Sequence, residues 1–241
     1  MRLDKFIADS GEFSRSEAGK LARQGAVCVN GAVVRDASSH VDETCAEVTV
    51  SGRRIAWRRF LYVMLNKPAG YVSSTDDAAP TVMDLLPPEY AKRSLAPCGR
   101  LDRDTVGLLL ITNDGATAHA LLSPKKHVAK RYRYTLTAPL TDEGAAAIRS
   151  GVDLGDFFTA PARLFPDGER KGEIEITEGK FHQIKRMFHA VGTEVASLER
   201  VSFGPLVLDP ALGRGEWREL TDAEIASLTG GSGARESEDG V

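Results

Sequence analysis

The stretch Gly99-Arg100-Leu101-Asp102-Arg103-Asp104-Thr105-Val106-Gly107 runs directly into Leu108-Leu109-Leu110-Ile111, and no other part of the chain restricts its fold as much. The apolar run reads as a strand. The glycines before it permit tight turns, so Asp102 is delivered between two arginines at the end of a rigid element. A short carboxylate held and aimed in this way is a candidate covalent nucleophile. From spacing alone, an Asp in a surface turn paired with a neighbouring arginine explains the pattern more simply, since structural ion pairs also gather around carboxylates. The rest of the chain decides between the two.

With 241 residues, of which 27% are charged and 42% hydrophobic, the composition is that of a soluble globular protein. That length accommodates one or two domains and a sizeable core. The apolar run Val106 to Ile111 is far shorter than the ~20 residues needed to span a bilayer, so no membrane association is expected. Met1-Arg2-Leu3-Asp4-Lys5 begins an amphipathic pattern rather than a secretory segment. The three cysteines, Cys28, Cys45 and Cys98, are far apart and form no Cys-x-x-Cys pair. They read as reduced thiols in a cytoplasmic protein without a zinc site.

The net charge of −3 argues against a nucleic-acid partner only until it is resolved along the chain. Residues 1–60 hold ten Lys/Arg against eight Asp/Glu, and residues 61–205 hold eighteen of each. Residues 206–241 hold three against eight, so the acidity is C-terminal. Lys125, Lys126, Lys130, Arg131 and Arg133 fall close together with no acid among them. A local basic stripe, not the average charge, is what engages phosphates.

The first part of the chain reads as a small α/β module over 1–56. Leu3, Phe6 and Ile7 recur at helical spacing. Ser14 and Glu17 form a capping box that opens a second helix through about Gln24. Arg15, Lys20 and Arg23 are spread over that helix. Asn30-Gly31, flanked by short apolar runs, marks a two-residue hairpin. Residues 57–60, in an arginine-rich stretch, read as a linker, and residues 61–230 as a second, larger domain of α+β class. There Leu61-Tyr62-Val63-Met64-Leu65 is an apolar run that stops at Asn66-Lys67-Pro68-Ala69-Gly70, read as a turn. Arg131–Thr137 and Glu173–Thr177 alternate as strands do. Asp114 caps a helix through Leu122, and Thr221 with Glu224 caps a final one. Residues 231–241 read as a disordered acidic tail.

The stretch Glu178–Val191 reads as a helix with two faces. Phe181, Ile184, Phe188 and Val191 make a stripe facing the core, whereas His182, Lys185, Arg186 and His189 share a basic face. Such a face can hold a phosphate or an ionised nucleophile, or simply face solvent. His182 and His189 lack a third ligand, so no metal is expected. Tyr132 offers an aromatic plane among basic residues, where extruded bases are commonly received, although a buried sheet tyrosine is the ordinary alternative. There is no G-x-S-x-G elbow, no phosphate loop, no H-E-x-x-H and no G-x-G-x-x-G after a strand.

Together these segments carry a resemblance. Gly99–Gly107 resembles the signature of pseudouridine synthases, and Met1–Ala8 with the module after it resembles an S4 RNA-binding domain. Leu65–Val72 and Glu178–Phe188 are similar to motifs of the small-subunit (16S) ribosomal RNA branch, so the resemblance spans roughly residues 1–230. It implies an N-terminal S4 domain and a mainly antiparallel, mixed-sheet catalytic domain with a central cleft. It implies isomerisation of a uridine to pseudouridine with no cofactor and no metal, in 16S ribosomal RNA or a small-subunit assembly intermediate. Asp102 matches the nucleophile, Tyr132 the tyrosine that stacks on the target base, and Lys185 the basic partner of the nucleophile. Arg100 is a candidate nucleotide contact, and Arg103 and Asp104 fall at permissive positions. Expected RNA contacts are Arg2, Lys5, Arg15, Lys20, Arg23, Lys125, Lys126, Lys130 and Arg186, on a protein taken as a monomer. The alternatives are a large-subunit (23S) synthase and a non-catalytic S4-type assembly factor. Large-subunit relatives tend to show Asn-Arg-Gln where this chain has Phe181-His182-Gln183.

Overall fold

The computed structural model describes residues 1–230 apart from Gly11, Thr44, Ala56, Trp57 and Lys92. The expected disordered tail 231–241, and Trp57 of the expected linker, lie outside the described residues. The chain divides into two compact units, Met1–Leu61 with Leu86–Leu95, and Tyr62–Leu85 with Ala96–Val241. The segment Leu86–Leu95, inside the range 61–230 expected for the larger domain, groups with the first unit instead.

The first unit holds helices α1 (Leu3–Asp9) and α2 (Arg15–Arg23) and strands β1 (Val27–Val29), β2 (Ala32–Val33), β3 (Val48–Val50) and β4 (Arg53–Arg54), with the short helix α3 (Pro88–Ala91). The strands form one sheet in the order β2-β1-β3-β4. Ser14 and Glu17 cap α2 reciprocally, donors and acceptors both satisfied. Asn30 and Gly31, with φ of 51° and 80°, make the β1–β2 turn. Both left-handed residues match the right-handed twist of the flanking strands. Leu3, Phe6, Ile7, Ala18 and Ala22 pack with Val27, Val48 and Val50 as the unit's core.

The second unit is built on strands β5 (Tyr62–Lys67), β6 (Ala96–Pro97), β7 (Val106–Thr112), β8 (Lys130–Leu136), β9 (Arg163–Pro166), β10 (Lys171–Ile176), β11 (Val195–Phe203), β12 (Leu206–Val207) and β13 (Trp217–Glu219). They make one sheet with the main order β13-β5-β7-β11-β8-β10-β9. The β7–β11 pairing is parallel and the other pairings are antiparallel. Helices α4 (Gly115–Leu122), α5 (Asp142–Ser150), α6 (Gln183–Ala190) and α7 (Asp222–Thr229) complete it. The fold class is α+β with a mainly antiparallel mixed sheet. Leu108 to Ile111 are completely buried, which is why that run is continuous rather than alternating.

Gly107 permits the parallel contact. Its φ is 100°, and a Cβ there would sit 2.3 Å from the Arg200 carbonyl oxygen on β11. Asp114 caps α4 through Ala116 and Thr117 N–H groups at 3.1 Å and also accepts from the Tyr62 hydroxyl at 2.6 Å. That ties α4 to β5. At the C-terminal end, Arg218 donates two hydrogen bonds of 2.8 Å to Glu224, which also caps α7 with Thr221. Hydrogen bonding to Arg218 is the main cause that holds Glu224 down to about 2. Because that lies below the ordinary value of 4.5, the pair's contribution is complete above pH 4.5 and disappears as pH falls towards 2. Chemical denaturation across this range should show the wild-type and Glu224→Gln stability curves converging as acid is added. Curves that stay parallel would contradict the assignment.

Candidate active site

Asp102 lies in the turn between β6 and β7, and the turn is clamped from three directions. Leu101 is buried, its N–H donates to the Ser73 hydroxyl at 3.0 Å, and that hydroxyl donates back to the Leu101 carbonyl at 3.0 Å. Thr105 N–H donates to the Asp102 carbonyl at 3.1 Å. Beneath the turn, the fully buried Lys67 aims its ammonium at the carbonyls of Thr105 (2.9 Å), Pro68 (3.1 Å), Asp102 (3.1 Å) and Arg103 (3.3 Å). Three N–H groups thus serve four converging oxygens. Burial pulls the Lys67 pKa down to about 8, against the opposing pull of Asp104 and Asp102. Asn66 and Lys67, expected in a turn, are strand residues, because they pair with Leu108 and Gly107 on β7.

The Asp102 carboxylate is 27% exposed, with the Lys185 ammonium at 3.1 Å and His182 Nε2 at 3.6 Å. Lys185 also binds Asp104 at 2.6 Å. Burial works against the Lys185 charge, but hydrogen bonds to Asp104 and Asp102 outweigh it and its pKa is raised. The two carboxylates differ in setting. Asp104 is 73% exposed and does not wall the cavity that Asp102 lines with Tyr132, Arg100, His182 and Lys185. Ile176, Ile184 and Leu198 supply apolar wall. The space suits a single small ligand group with a few convergent polar atoms.

Alternation places Lys130, Tyr132, Tyr134 and Leu136 on the buried face of β8. The two tyrosines part there. Tyr132 walls the cavity, whereas Tyr134 packs on Phe188 with ring centroids 4.8 Å apart. Thr105 also reaches the cavity, and its buried hydroxyl has no hydrogen-bond partner among the described residues. Nothing in the sequence pattern marks it, beyond its place in the signature stretch.

The helix expected over Glu178–Val191 begins only at Gln183, since His182 takes a left-handed conformation with φ of 49°. Phe181 is consequently out of phase with the core stripe. It is 72% exposed and stacks on His182, with centroids 3.8 Å apart. The break turns His182 towards Asp102. Arg186 binds Asp156 and the Leu154 carbonyl, and His189 pairs with Glu194, so only part of the expected basic face meets the carboxylate.

The stripe 125–133 is also divided. Antiparallel register sets Glu175 opposite Arg131 and Glu173 opposite Arg133. Arg131 pairs with Glu175 at 2.9 Å, and Arg133 with Glu199 at 3.2 Å and Glu173 at 3.4 Å. Lys130 is buried, while Lys125 and Lys126 are exposed on a short turn. In the first unit, Arg2 pairs with Asp4 and Lys5 with Asp9, each at 2.9 Å. Arg15, Lys20 and Arg23 are exposed on α2 and join no ion pair among the described residues. Nor, among the described residues, do three His, Cys, Asp or Glu side chains gather as a metal ion would need. No described helix is long and apolar enough to cross a membrane.

Residues 61–190, which contain Asp102, Tyr132 and Lys185, match the RNA pseudouridylate synthase family, and residues 1–46 match the S4 domain. The chain belongs to the RNA pseudouridylate synthase family. This synthase is 46% identical to the uncharacterized RNA pseudouridine synthase YtzG of Bacillus subtilis (strain 168), over 95% of this chain and 98% of the relative. It is 43% identical to ribosomal small subunit pseudouridine synthase A of Escherichia coli (strain K12), over 95% of this chain and 100% of the relative. A crystal structure of pseudouridylate synthase superposes with a TM-score of 0.68 at 40% identity, covering 95% of this chain and 99% of that one. The synthase therefore joins an S4 RNA-binding domain to an RNA-modifying isomerase fold.

Proposed function

We propose that this synthase converts a uridine of 16S ribosomal RNA to pseudouridine, with Asp102 as the nucleophile towards a flipped-out nucleotide. The observation that carries the reading is that Asp102, Tyr132 and Lys185, from three separate elements, wall one cavity. In the isomerisation the bond from uracil N1 to ribose C1′ breaks, the C5–C1′ bond forms as any bond from Asp102 to C1′ breaks, C5 gives up a proton and N1 takes one up. Positive charge develops at C1′ as N1 leaves, and a carboxylate beside it can bond to that carbon or stabilise it. Lys185 orients the Asp102 carboxylate, and Tyr132 receives the uracil by stacking. The apolar wall keeps water from the detached base while it turns. Extrusion of the nucleotide costs a few kcal/mol of stacking, which the tyrosine and the cation Arg100 offset in part.

Residues 1–56 serve as the RNA anchor, with 57–60 as a linker, in a monomer of the cytoplasm. The small-subunit assignment rests on full-length similarity to a synthase of that name. Incubation of the purified protein with 16S and 23S transcripts, followed by carbodiimide–primer extension, is expected to reveal new pseudouridine in the 16S molecule alone. Modification of 23S only would move the enzyme to the large subunit, and modification of neither, with a small-subunit assembly intermediate also left unmodified, would leave an RNA-binding protein.

The anchor has its own signature. Replacing Arg15, Lys20 and Arg23 together with Gln should weaken RNA binding and lower the salt slope by about one per lost phosphate contact. Turnover at saturating RNA should stay near wild type. An unchanged slope would remove α2 from the interface.

A further inference from the structure

Beside the Asp102 cavity, and sharing Arg100, Tyr132, Gly179 and Lys180 with it, lies a second pocket that the proposed chemistry does not use. Two buried cations stand in its wall. Arg200 is 2% exposed, donates through Nε to the Leu108 carbonyl at 2.7 Å, and leaves one terminal nitrogen without a partner among the described residues. Lys130 is 9% exposed and donates to the Val128 carbonyl at 3.1 Å. Both charges lie over the Phe203 ring, at 4.9 and 5.6 Å from its centroid. Neither joins an ion pair among the described residues. The carboxylate in this wall, Glu178, is already used by the Ala160 N–H at 3.0 Å and the Gln183 amide at 2.8 Å.

Two buried like charges with no counter-ion are unfavourable in a folded protein. Burial first, and Arg200 second, accordingly pull the Lys130 pKa below the usual lysine value. A fold that needed only apolar packing here would be served better by neutral side chains. The arrangement makes sense when an anion enters, since its charge would pair with both cations and fill the free guanidinium donor.

We infer that Arg200 and Lys130 form a phosphate-binding subsite, which takes the phosphodiester group of the RNA strand next to the nucleotide held at Asp102. This assignment rests on the reading that the Asp102 cavity receives a nucleotide. The register that pairs Arg200 with Tyr132 across β11 and β8 puts the phosphate site next to the base-stacking ring. The pocket thereby fixes the strand on one side of the reacting residue.

The test uses the full chain and the variant Lys130→Met, which keeps the length of the side chain and removes its charge. In a thermal melt at constant ionic strength, replacing chloride by inorganic phosphate should raise the wild-type midpoint and leave the variant's unmoved. On 16S ribosomal RNA, with Asp102→Asn in both proteins so that no turnover occurs, Lys130→Met should weaken binding roughly tenfold and lower the salt slope by about one. In chloride alone the variant should melt no lower than wild type, because a costly buried charge has gone. Equal responses to phosphate would overturn the subsite. A phosphate response with an unchanged RNA slope would overturn its assignment to the RNA strand. The phosphate arm involves no RNA, so it stands even if 16S ribosomal RNA proves not to be the substrate, an outcome that the pseudouridine mapping reports separately.

Discussion

Asp102→Asn should lower pseudouridine formation by at least about 10⁴-fold, the scale on which removal of a nucleophile acts, while RNA affinity stays close to wild type. Asp104→Asn should stay within about tenfold. The contrast is informative because both carboxylates bind the same ammonium, Asp104 at 2.6 Å and Asp102 at 3.1 Å. Contact distance alone would favour Asp104 as the important partner. Its 73% exposure and its absence from the cavity wall point the other way. Single-turnover release of tritium from [5-³H]uridine RNA reads the reaction directly, since C5 gives up its hydrogen when it bonds to C1′. Equal losses in the two variants would show that Lys185 and its whole carboxylate pair, rather than Asp102, carry the reaction.

The second large effect is expected at Lys67, which does not line the cavity itself. Lys67→Met keeps the shape of the side chain but leaves the carbonyls of Pro68, Asp102, Arg103 and Thr105 converging on a methyl group. The Asp102 and Arg103 carbonyls keep backbone donors, the N–H groups of Thr105 and Gly70, so the loss falls on those of Pro68 and Thr105. An unsatisfied buried acceptor costs about 1–3 kcal/mol, and a destabilisation on that scale follows, less whatever the buried charge itself had cost. Loss of the clamp also frees the Asp102 turn, and displacement of a reacting group by ~1 Å costs on the order of 10² in rate. The expected result is a large fall in kcat with little change in KM for RNA. The lysine has a pH signature as well. Its pKa in the fold, about 8, lies below the ordinary 10.5. The unfolded chain therefore holds more protons between those values, and wild-type stability rises as pH climbs from 8 to 10.5. Below pH 8 the lysine adds no slope. Denaturant titrations should find that rise in wild type and not in Lys67→Met, and identical pH curves would contradict the buried-ammonium account.

Much of the local structure is legible in the chain because it depends on near neighbours. The capping boxes at Ser14 and Thr221, the Asn30-Gly31 turn and the Asp114 cap all form where their patterns stand. Asp102, Tyr132 and Lys185 stand out by motif, and the fold brings them to one cavity. What escapes a reading of the sequence depends on partners far along the chain. Arg131 and Arg133 belong to an unopposed basic stripe until the register of β8 and β10 sets glutamates opposite them. Lys67 reads as part of a turn until its pairing with Gly107 draws it into the strand. One signal is present, a lysine ending a largely apolar run just before a proline. Phe181 reads as a core residue only while helical periodicity is carried back through His182, where a left-handed residue ends it. Arg200 carries no motif, and only its alternation with the buried Leu198 and its place across from Tyr132 mark it as inward-facing.

The most direct test of the central claim is a crystal structure of Asp102→Asn bound to its substrate RNA. The target uridine should be out of its helix, its base against the Tyr132 ring, and its C1′ in van der Waals contact with the side chain at position 102. A uridine still stacked in the helix, or a ribose closer to position 104 than to position 102, would contradict a nucleophilic role for Asp102.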